Sequence, residues 1–182
     1  MVDDVPAGSM GLVLQPYWSP GVKVPGTEAK GAIIGFGDVH TRAHVYRAIL
    51  EGLTYSLKEG LNRTVKRTKI PARSVLVSGG GSQSRQAMQI TADIFNLETF
   101  RAHTYETSAL GAAINAAVGM KYYSDFPAAV AAMTRKGDRF VPDPHNVEIY
   151  SELYEKVYLK MYRHLQPLYE QIRDVTGYPP KI

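Results

Sequence analysis

Three consecutive glycines constrain this chain more than any other feature. Residues 75–77 are apolar and include two β-branched side chains, which favours a short buried strand. Gly79, Gly80 and Gly81 then interrupt the strand, and a helix-compatible run follows. Glycine permits positive φ and close approach of a ligand, and a helix start presents free N–H groups. The pattern predicts a strand, a glycine turn and a helix start, which suits a phosphate or a nucleotide; an ordinary tight turn is the alternative.

Composition narrows the class of protein. The 182 residues suffice for one well-packed domain or for two small ones, and 45% hydrophobic with 21% charged residues is ordinary for a globular protein. The absence of cysteine excludes a disulfide framework, a thiolate nucleophile and a cysteine-based zinc site. No apolar run reaches the roughly 18 residues that span a bilayer, and residues 1–4 are acidic where a signal peptide is basic. We therefore expect a cytoplasmic protein without a membrane partner.

The positive charge does not point to nucleic acid. The net charge is +4, and basic residues cluster after a predicted helix without interleaved aromatic side chains. The cluster comprises Arg63, Lys66, Arg67, Lys69 and Arg73. Cations are favourable at helix C-termini, so a solvated helix end accounts for the cluster.

The first half of the chain predicts a hairpin and a long helix. A loop from residue 5 runs into a short strand, residues 21–30 form an exposed excursion, and a second strand at 31–37 returns alongside the first. A helix from about His40 to Arg67 follows, capped by Asp38 or Thr41. Its predicted buried stripe consists of Val45, Ala48, Ile49, Gly52, Leu53, Leu57 and Leu61.

The second half alternates helices and strands. After the glycine turn we predict a helix at 86–95, a strand at 99–103, and a small-residue helix at 107–120 that approaches the sheet or a neighbouring helix closely. A short helix capped by Asp125 ends at Met133, and residues 137–144 are predicted to be a loop. This order indicates an α/β domain, with the hairpin on one side of parallel strands.

The last predicted helix runs from about Asn146 to Thr176 and stops at Gly177. One face carries Ile149, Leu153, Val157, Met161, Leu165 and Leu168, beside Tyr150, Tyr154, Tyr158 and Tyr162 at four-residue spacing. Ligand stacking is one interpretation of the tyrosines. A packing seam is favoured, because a buried helix edge needs this spacing.

No catalytic constellation is visible in the sequence. His40 and His44 are four residues apart, but they have no third ligand or acidic partner at a metal-site spacing, so we interpret them as caps or surface groups. Asp93 is a lone carboxylate with an expected structural role, and Glu106 is expected to be a helix-start charge. We predict no catalytic residue and no metal ligand in this chain.

A series of short motifs resembles the C-terminal domain of the FGGY carbohydrate kinases, in the actin-like ATPase superfamily of ribonuclease H-like folds. The motifs are Gly8–Leu12 with Pro16–Tyr17, Gly31–Gly35 leading to His40–His44, Arg47–Gly52, Gly79–Ser84, Ala92–Phe95 and Glu106–Ala113. They occur in the family's order and cover nearly the whole chain. The triple glycine and the His-Thr-Arg-Ala-His run are similar to the pentulose (xylulose) kinases rather than glycerol kinase.

The resemblance implies a nucleotide site. It places residues 5–176 in one ribonuclease H-like domain, with a mixed sheet, a long helix and trailing C-terminal helices. Gly79, Gly80, Gly81, Gln83 and Ser84 would lie under the adenosine of ATP, with Ser84 beside the adenine. The segment Gly37, Asp38 and His40, at the start of the long helix, would approach the phosphates. Mg²⁺ would assist in-line transfer of the γ-phosphate to a sugar hydroxyl.

The same resemblance implies that this chain lacks an N-terminal lobe, which carries the catalytic base and most sugar contacts. We therefore expect the chain to be inactive alone. Two departures from the family pattern bear on function. Residues 19–23 replace a usual Gly-Glu-Arg segment, which puts a sugar contact from that loop in doubt, and Gly37 stands where threonine is frequent, which would loosen the phosphate-side turn.

Two alternatives stay open at this point. A strand, glycine turn and helix also occur in NAD-binding oxidoreductases, although the third glycine position is Ser84 and the acidic Glu98 begins the next strand rather than ending it. A non-catalytic interaction module derived from an actin-like lobe is the other alternative. The sugar is not predicted, and an exposed apolar face would favour a homodimer.

Overall fold

The structure is a computed structural model that describes residues 4–19, 21 and 24–180. The segment 19–23, whose sugar contact the sequence put in doubt, lies largely outside the described residues. The strands are β1 (Val13–Gln15), β2 (Ala32–Ile34), β3 (Val75–Val77), β4 (Thr99–Ala102) and β5 (Lys136–Phe140). The α-helices are α1 (Arg42–Thr68), α2 (Arg85–Phe95), α3 (Thr107–Gly119), α4 (Phe126–Met133), α5 (Pro144–Leu153) and α6 (Leu159–Thr176). A single π-helical turn, Tyr154–Tyr158, joins α5 to α6.

The strands form an α/β arrangement with a mixed sheet, as the sequence predicted. β3 pairs with β4 in parallel, with Val75 opposite Thr99, and β4 pairs with β5 in antiparallel orientation. β1 and β2 form the predicted antiparallel hairpin. The hairpin does not extend the β3–β4–β5 sheet, however, and forms a sheet of its own. The order of strands along the chain does not decide which strand edges meet, so the prediction of one sheet was wrong on this point.

β5 corrects the prediction of a loop at 137–144. Its sequence, Lys-Gly-Asp-Arg-Phe, has low β-propensity and is exposed except for Phe140. It is nevertheless a strand, because its backbone pairs with β4 at the edge of the sheet, where charged side chains face water. Phe140 packs with Met88 and Ala92 of α2 and so fixes the sheet against that helix.

Helix α1 begins two residues later than predicted, and its predicted buried stripe is correct only in part. Thr41 is its N-cap residue, and Lys69 ends it in a left-handed conformation. The buried residues are Ala48, Glu51, Gly52, Thr54 and Tyr55, whereas Leu53 and Leu57 are exposed. Ala48 and Gly52 are buried as predicted. Apolar periodicity missed Glu51 and Tyr55 because a charged residue and a tyrosine occupy the rest of the buried face.

The predicted tyrosine packing seam is confirmed. Tyr150, Tyr154 and Tyr158 are buried around Tyr55 of α1, and their ring centroids lie 6.2, 5.7 and 5.1 Å from the Tyr55 ring. The π-helical turn carries two of these tyrosines. Leu168, predicted on the apolar face of this helix, is exposed. Gly177 adopts φ +70° and ends α6, as predicted.

Two other surfaces differ from the sequence prediction. Within the expected exposed excursion at 21–30, Glu28 and Ala29 are buried. Helix α3 was predicted to approach the sheet or a neighbouring helix closely; it packs against α4, yet Ala109, Ala112 and Ala113 remain exposed. None of the helices in the described part of the chain is long and apolar enough to cross a membrane.

Candidate functional site

Two helix starts meet the sheet at one edge. Because β3 and β4 are parallel, their carboxyl ends lie at the same edge, where open α/β sheets bind ligands. Ser78 follows β3, and Thr107 begins α3 after β4. The Thr107 hydroxyl donates a hydrogen bond to Ser78 Oγ at 3.4 Å. The glycine turn and the start of α3 therefore border a common surface.

The glycine turn has the predicted strand-turn-helix form. Gly79 adopts φ +83° and ψ −178°, which is a conformation reserved almost entirely for glycine. Gly80–Gln83 form a short 3₁₀ turn that leads into α2. Ser82 is buried, and both its backbone N–H and its hydroxyl donate to the Gly79 carbonyl oxygen, at 3.1 and 2.7 Å. These bonds hold the turn in a fixed shape.

Gly80 and Gly81 are glycines for which the chain itself gives no reason. Neither adopts positive φ, and a Cβ atom placed on either would meet nothing within 4 Å. Gly79 and Gly111 of α3 have the same open space, as do glycines away from this surface such as Gly60 of α1; Gly79 to Gly81 differ in lying at the carboxyl edge of the parallel strands. Gly80, Gly81 and Gln83 are exposed. A ligand that lies against the bare backbone would account for glycine at these positions.

Ser84 has a structural role in addition to its predicted one. Its hydroxyl accepts a hydrogen bond from the Ala87 N–H at 3.2 Å and so caps α2. The same hydroxyl donates to Gln86 Oε1 at 3.2 Å. One free N–H of the α2 start is thereby satisfied within the chain. Contact between Ser84 and an adenine stays a prediction.

The segment from Gly37 to His40 is a tight turn held by the His40 ring. The Gly37 N–H donates to His40 Nδ1 at 2.8 Å, which makes Nδ1 the acceptor and leaves the Nε2–H to donate to the Met10 carbonyl oxygen at 3.2 Å. Asp38 is exposed, and the cap position belongs to Thr41. The imidazole therefore links the start of α1 to the loop before β1, and its approach to phosphates stays a prediction.

His44 completes a reciprocal cap at the start of α1. Its Nδ1 accepts a hydrogen bond from the Thr41 N–H at 3.1 Å, which is the role of the acidic residue in a capping box. Of the two histidines interpreted as caps or surface groups, His44 is a cap, whereas the His40 ring bonds the turn that precedes the helix. No group of three or more His, Asp or Glu side chains is placed to hold a metal ion within the described ranges.

Asp93 and Glu106 were both predicted to have structural roles, and they differ in the hydrogen bonds that they make. Asp93 is buried and accepts hydrogen bonds from Gln89 Nε2, the Asp143 N–H and Asn146 Nδ2, at 2.8–2.9 Å, so its predicted structural role is confirmed. Glu106 precedes α3 as predicted, but its side chain makes no capping hydrogen bond. The predicted site omitted Ser78 and Thr107; a hydroxyl residue directly after β3 and another at the first position of the helix that follows β4 were the signal that could have identified them.

The fold and the glycine turn define the class of protein: an α/β domain with a glycine turn and a helix start at the carboxyl edge of its parallel strands. The model of the C-terminal domain of the FGGY family of carbohydrate kinases matches residues 3–120, so the chain belongs to this family. This result overturns the NAD-binding oxidoreductase interpretation.

Relatives and solved structures agree with the family assignment. The chain is 33% identical to a xylulose kinase of Staphylococcus epidermidis and 31% identical to one of Bacillus subtilis, with 93% and 92% of the chain covered. The crystal structure of xylulose kinase from Rhodospirillum rubrum superposes with a TM-score of 0.75, at 30% identity over 93% of the chain. Plasmodium falciparum glycerol kinase with ADP shares the fold, with a TM-score of 0.69 over 84% of the chain at 22% identity.

These matches cover only part of each relative. The chain spans 34% of the Staphylococcus enzyme and 33% of both the Bacillus enzyme and the Rhodospirillum structure. It corresponds to about a third of the length of the relatives it matches.

Proposed function

We propose that this chain is the nucleotide-binding C-terminal half of an ATP-dependent carbohydrate kinase. In this proposal the domain spans residues 5–176, has a ribonuclease H-like topology, works in the cytoplasm and binds MgATP together with an N-terminal lobe. The sugar binds with that lobe, and a pentulose is the expected class because the relatives at 31–33% identity include xylulose kinases.

The observation that carries the proposal is the open backbone of the glycine turn. Gly80 and Gly81 have neither positive φ nor any neighbour that would exclude a side chain, and they lie at the carboxyl edge of parallel strands. An adenosine that packs flat against this backbone would require their lack of Cβ. Gln83 is exposed beside them, and in this proposal its side-chain amide hydrogen-bonds the nucleotide.

The start of α1 is the proposed phosphate side. Its first N–H groups and the positive end of the helix dipole favour an anion, and Gly37 and Asp38 lie on the exposed turn that precedes it. The His40 ring fixes the shape of this turn through Gly37 and Met10. ATP would supply the phosphoryl group and Mg²⁺ its charge neutralisation, while this chain binds and orients.

The binding test is a titration of the isotopically labelled chain with MgADP and, in parallel, with NADH. We expect saturable shifts of the Gly79, Gly80, Gly81 and Ser84 amides with MgADP alone. Shifts with NADH alone, or silence with both, would count against nucleotide binding by this half.

A pair of glycine variants sharpens the test. Gly81→Val should keep the free energy of unfolding within about 1 kcal/mol of that of the unsubstituted chain, because an added Cβ meets no atom within 4 Å and the position is exposed, but it should abolish the MgADP shifts. Gly60→Val is the matched control, since Gly60 of α1 is also exposed with nothing within 4 Å. Equal loss of MgADP binding in both variants would contradict the proposed site.

Activity separates this proposal from a non-catalytic module. We expect no sugar phosphorylation by the chain alone and activity only with an N-terminal lobe supplied in trans or in a fusion. Phosphorylation of a pentulose by the purified chain would refute the prediction of inactivity. Failure of every lobe of the family to restore activity, with MgADP binding intact, would favour the module.

A further inference from the structure

An apolar groove lies between strand β2 and the C-terminal helices, away from the glycine turn. One part of it is a cavity of about 210 Å³. The apolar lining residues of this cavity are Ile34, Val157, Met161 and Leu165. A second cavity, of about 340 Å³, continues along α5 and is lined by Ile149 and Leu153. The two cavities share Lys156 and Val157 and therefore adjoin, and together they form what we call the basic groove.

The helical side of the basic groove carries two parallel rows of side chains. The apolar row consists of Val157, Met161 and Leu165. The basic row consists of Lys156, Lys160 and His164, each one residue earlier in the chain. Residues four apart lie on one face of a helix, so both rows follow the helix axis along the same edge. An occupant of the groove therefore meets apolar surface and basic groups side by side.

The basic row gives the groove a surplus of positive charge. Lys156 is paired with Glu152 at 2.8 Å, and Glu152 is the one carboxylate among the described lining residues. Lys160 and His164 are exposed, and no carboxylate of the described ranges forms an ion pair with either. An acidic side chain would meet an ammonium group and an imidazole N–H there, whereas a cation would be repelled by Lys160.

The apolar part of the groove has the scale of individual side chains. Ile34 is 37% exposed on β2, and Val157 and Leu165 are half-buried opposite it. The two cavities correspond to roughly seven and eleven water molecules at about 30 Å³ each, which suits one or two leucine-sized side chains apiece. Adjoining hollows along a helix are what the apolar anchors of an amphipathic helix fill.

We propose that the basic groove binds an amphipathic helix of another polypeptide, with leucine-like side chains on one face and acidic residues beside them. The apolar anchors would fill the two hollows, and the acidic residues would face Lys160 and His164 and fix the orientation. A flat anionic membrane would also attract the lysines but would leave the hollows unfilled. The groove shares no lining residue with the glycine turn or with the Gly37–His40 turn, so its occupant is independent of the nucleotide.

Two synthetic peptides provide the test, each titrated into the full 182-residue chain without nucleotide. Both carry leucines at alternating spacings of three and four, and the positions beside the leucines are glutamate in one peptide and lysine in the other. We expect the glutamate peptide to bind roughly tenfold more tightly at low salt, and the difference to shrink as salt is added. The backbone amides of Ile34, Val157 and Leu165 should shift on binding.

Three outcomes would overturn the proposal. The first is equal affinity for the two peptides, and the second is a set of amide shifts that lies wholly outside the basic groove. The third is binding of anionic phosphatidylglycerol vesicles without binding of the glutamate peptide, which would assign the lysine row to a membrane. Because no nucleotide is present, each of these results leaves the proposed nucleotide site untouched.

A charge reversal provides the matched comparison. Lys160→Glu should weaken binding of the glutamate peptide roughly tenfold and strengthen binding of the lysine peptide, an exchange that a loss of stability would not produce. Lys66→Glu makes the same substitution at an exposed position of α1 outside the groove and should leave both Kd values unchanged. If Lys66→Glu has the same effect as Lys160→Glu, net charge rather than the groove decides binding and the proposal is refuted.

The apolar row needs a separate test. Ile34→Ser removes the apolar wall that β2 contributes and should weaken binding of the glutamate peptide roughly tenfold. Val175→Ser is the control, since it removes a β-branched apolar side chain that is 86% exposed outside the groove. A Kd that Ile34→Ser leaves unchanged would contradict binding between β2 and the C-terminal helices.

Discussion

At the scale of single residues, a buried ion pair ties the start of the chain to two helices. Glu51 Oε1 accepts hydrogen bonds from Arg47 Nε, the Gly8 N–H and Tyr150 Oη, at 2.8, 3.1 and 2.7 Å, and Oε2 accepts from Ser9 Oγ at 2.8 Å. Arg47 also donates to Tyr150 Oη and to a backbone carbonyl oxygen. Every group of this network has partners, which a buried charge requires.

Removing the Glu51 carboxylate should therefore strongly destabilise the folded chain. We expect Glu51→Ala to lower the free energy of unfolding by about 3–5 kcal/mol, because Arg47 would remain buried without its counter-ion. Urea denaturation measures the change. Glu152→Ala removes an exposed pair with Lys156 at the same four-residue spacing and should cost less than about 1 kcal/mol. Similar losses of unfolding free energy in the two variants would show that burial does not decide how much an ion pair contributes to stability.

At the scale of elements, the tyrosine seam couples α1 to the C-terminal helices and makes their packing sensitive to alkaline pH. Burial raises the pKa of Tyr55, Tyr150 and Tyr158, with the nearby Glu51 carboxylate adding to the shift at Tyr55 and Tyr150. Burial, with the Glu59 carboxylate, also raises the pKa of Tyr17 to about 12. In each case the protein interior disfavours the phenolate.

The raised tyrosine pKa values predict how the free energy of unfolding changes with pH. In the unfolded chain tyrosines lose their protons near pH 10, while the folded chain retains them, so stability is complete below pH 10 and falls as the pH rises toward the folded pKa values. Above pH 10, Tyr55→Phe should reduce the fall of the unfolding free energy with pH by about 1.4 kcal/mol per pH unit. Urea denaturation at a series of alkaline pH values tests this. An unchanged slope in the variant would contradict the contribution of Tyr55.

At the scale of the whole molecule, α1 has a second apolar face that no described residue covers. Tyr46, Leu53 and Leu57 are exposed at spacings of seven and four residues, so they lie on one side of the helix, with Leu57 63% exposed. Exposed apolar patches mark surfaces that associate. We therefore expect this face to promote self-association of the isolated chain.

Self-association of the isolated chain is the measurable consequence. We expect Leu53→Glu with Leu57→Glu to shift sedimentation toward the monomer without loss of stability, because neither side chain is buried. Met120→Glu with Val175→Glu is the control, since it adds the same charge at exposed positions outside α1. If the control pair disperses the chain equally, the α1 face is not the contact.

Local chemistry let the sequence predict most of the element order. The glycine turn, the seam at four-residue spacing, the Asp125 cap and the stop at Gly177 all depend on neighbours a few residues apart. The family assignment followed from motifs of the same kind. At these positions, interactions between residues close in the sequence determine the local structure, so the sequence alone predicts it.

Other features depend on residues distant in the sequence, and only the tertiary structure decided them. β5 is a strand because β4 offers it a backbone edge, and Glu51 is buried because Arg47, Tyr150 and Ser9 converge on it. The basic groove arises where Ile34 of β2 meets Val157 and Leu165, which lie near the other end of the chain. Strand pairing and side-chain burial between residues so far apart depend on which surfaces pack together. A local sequence pattern does not predict that packing.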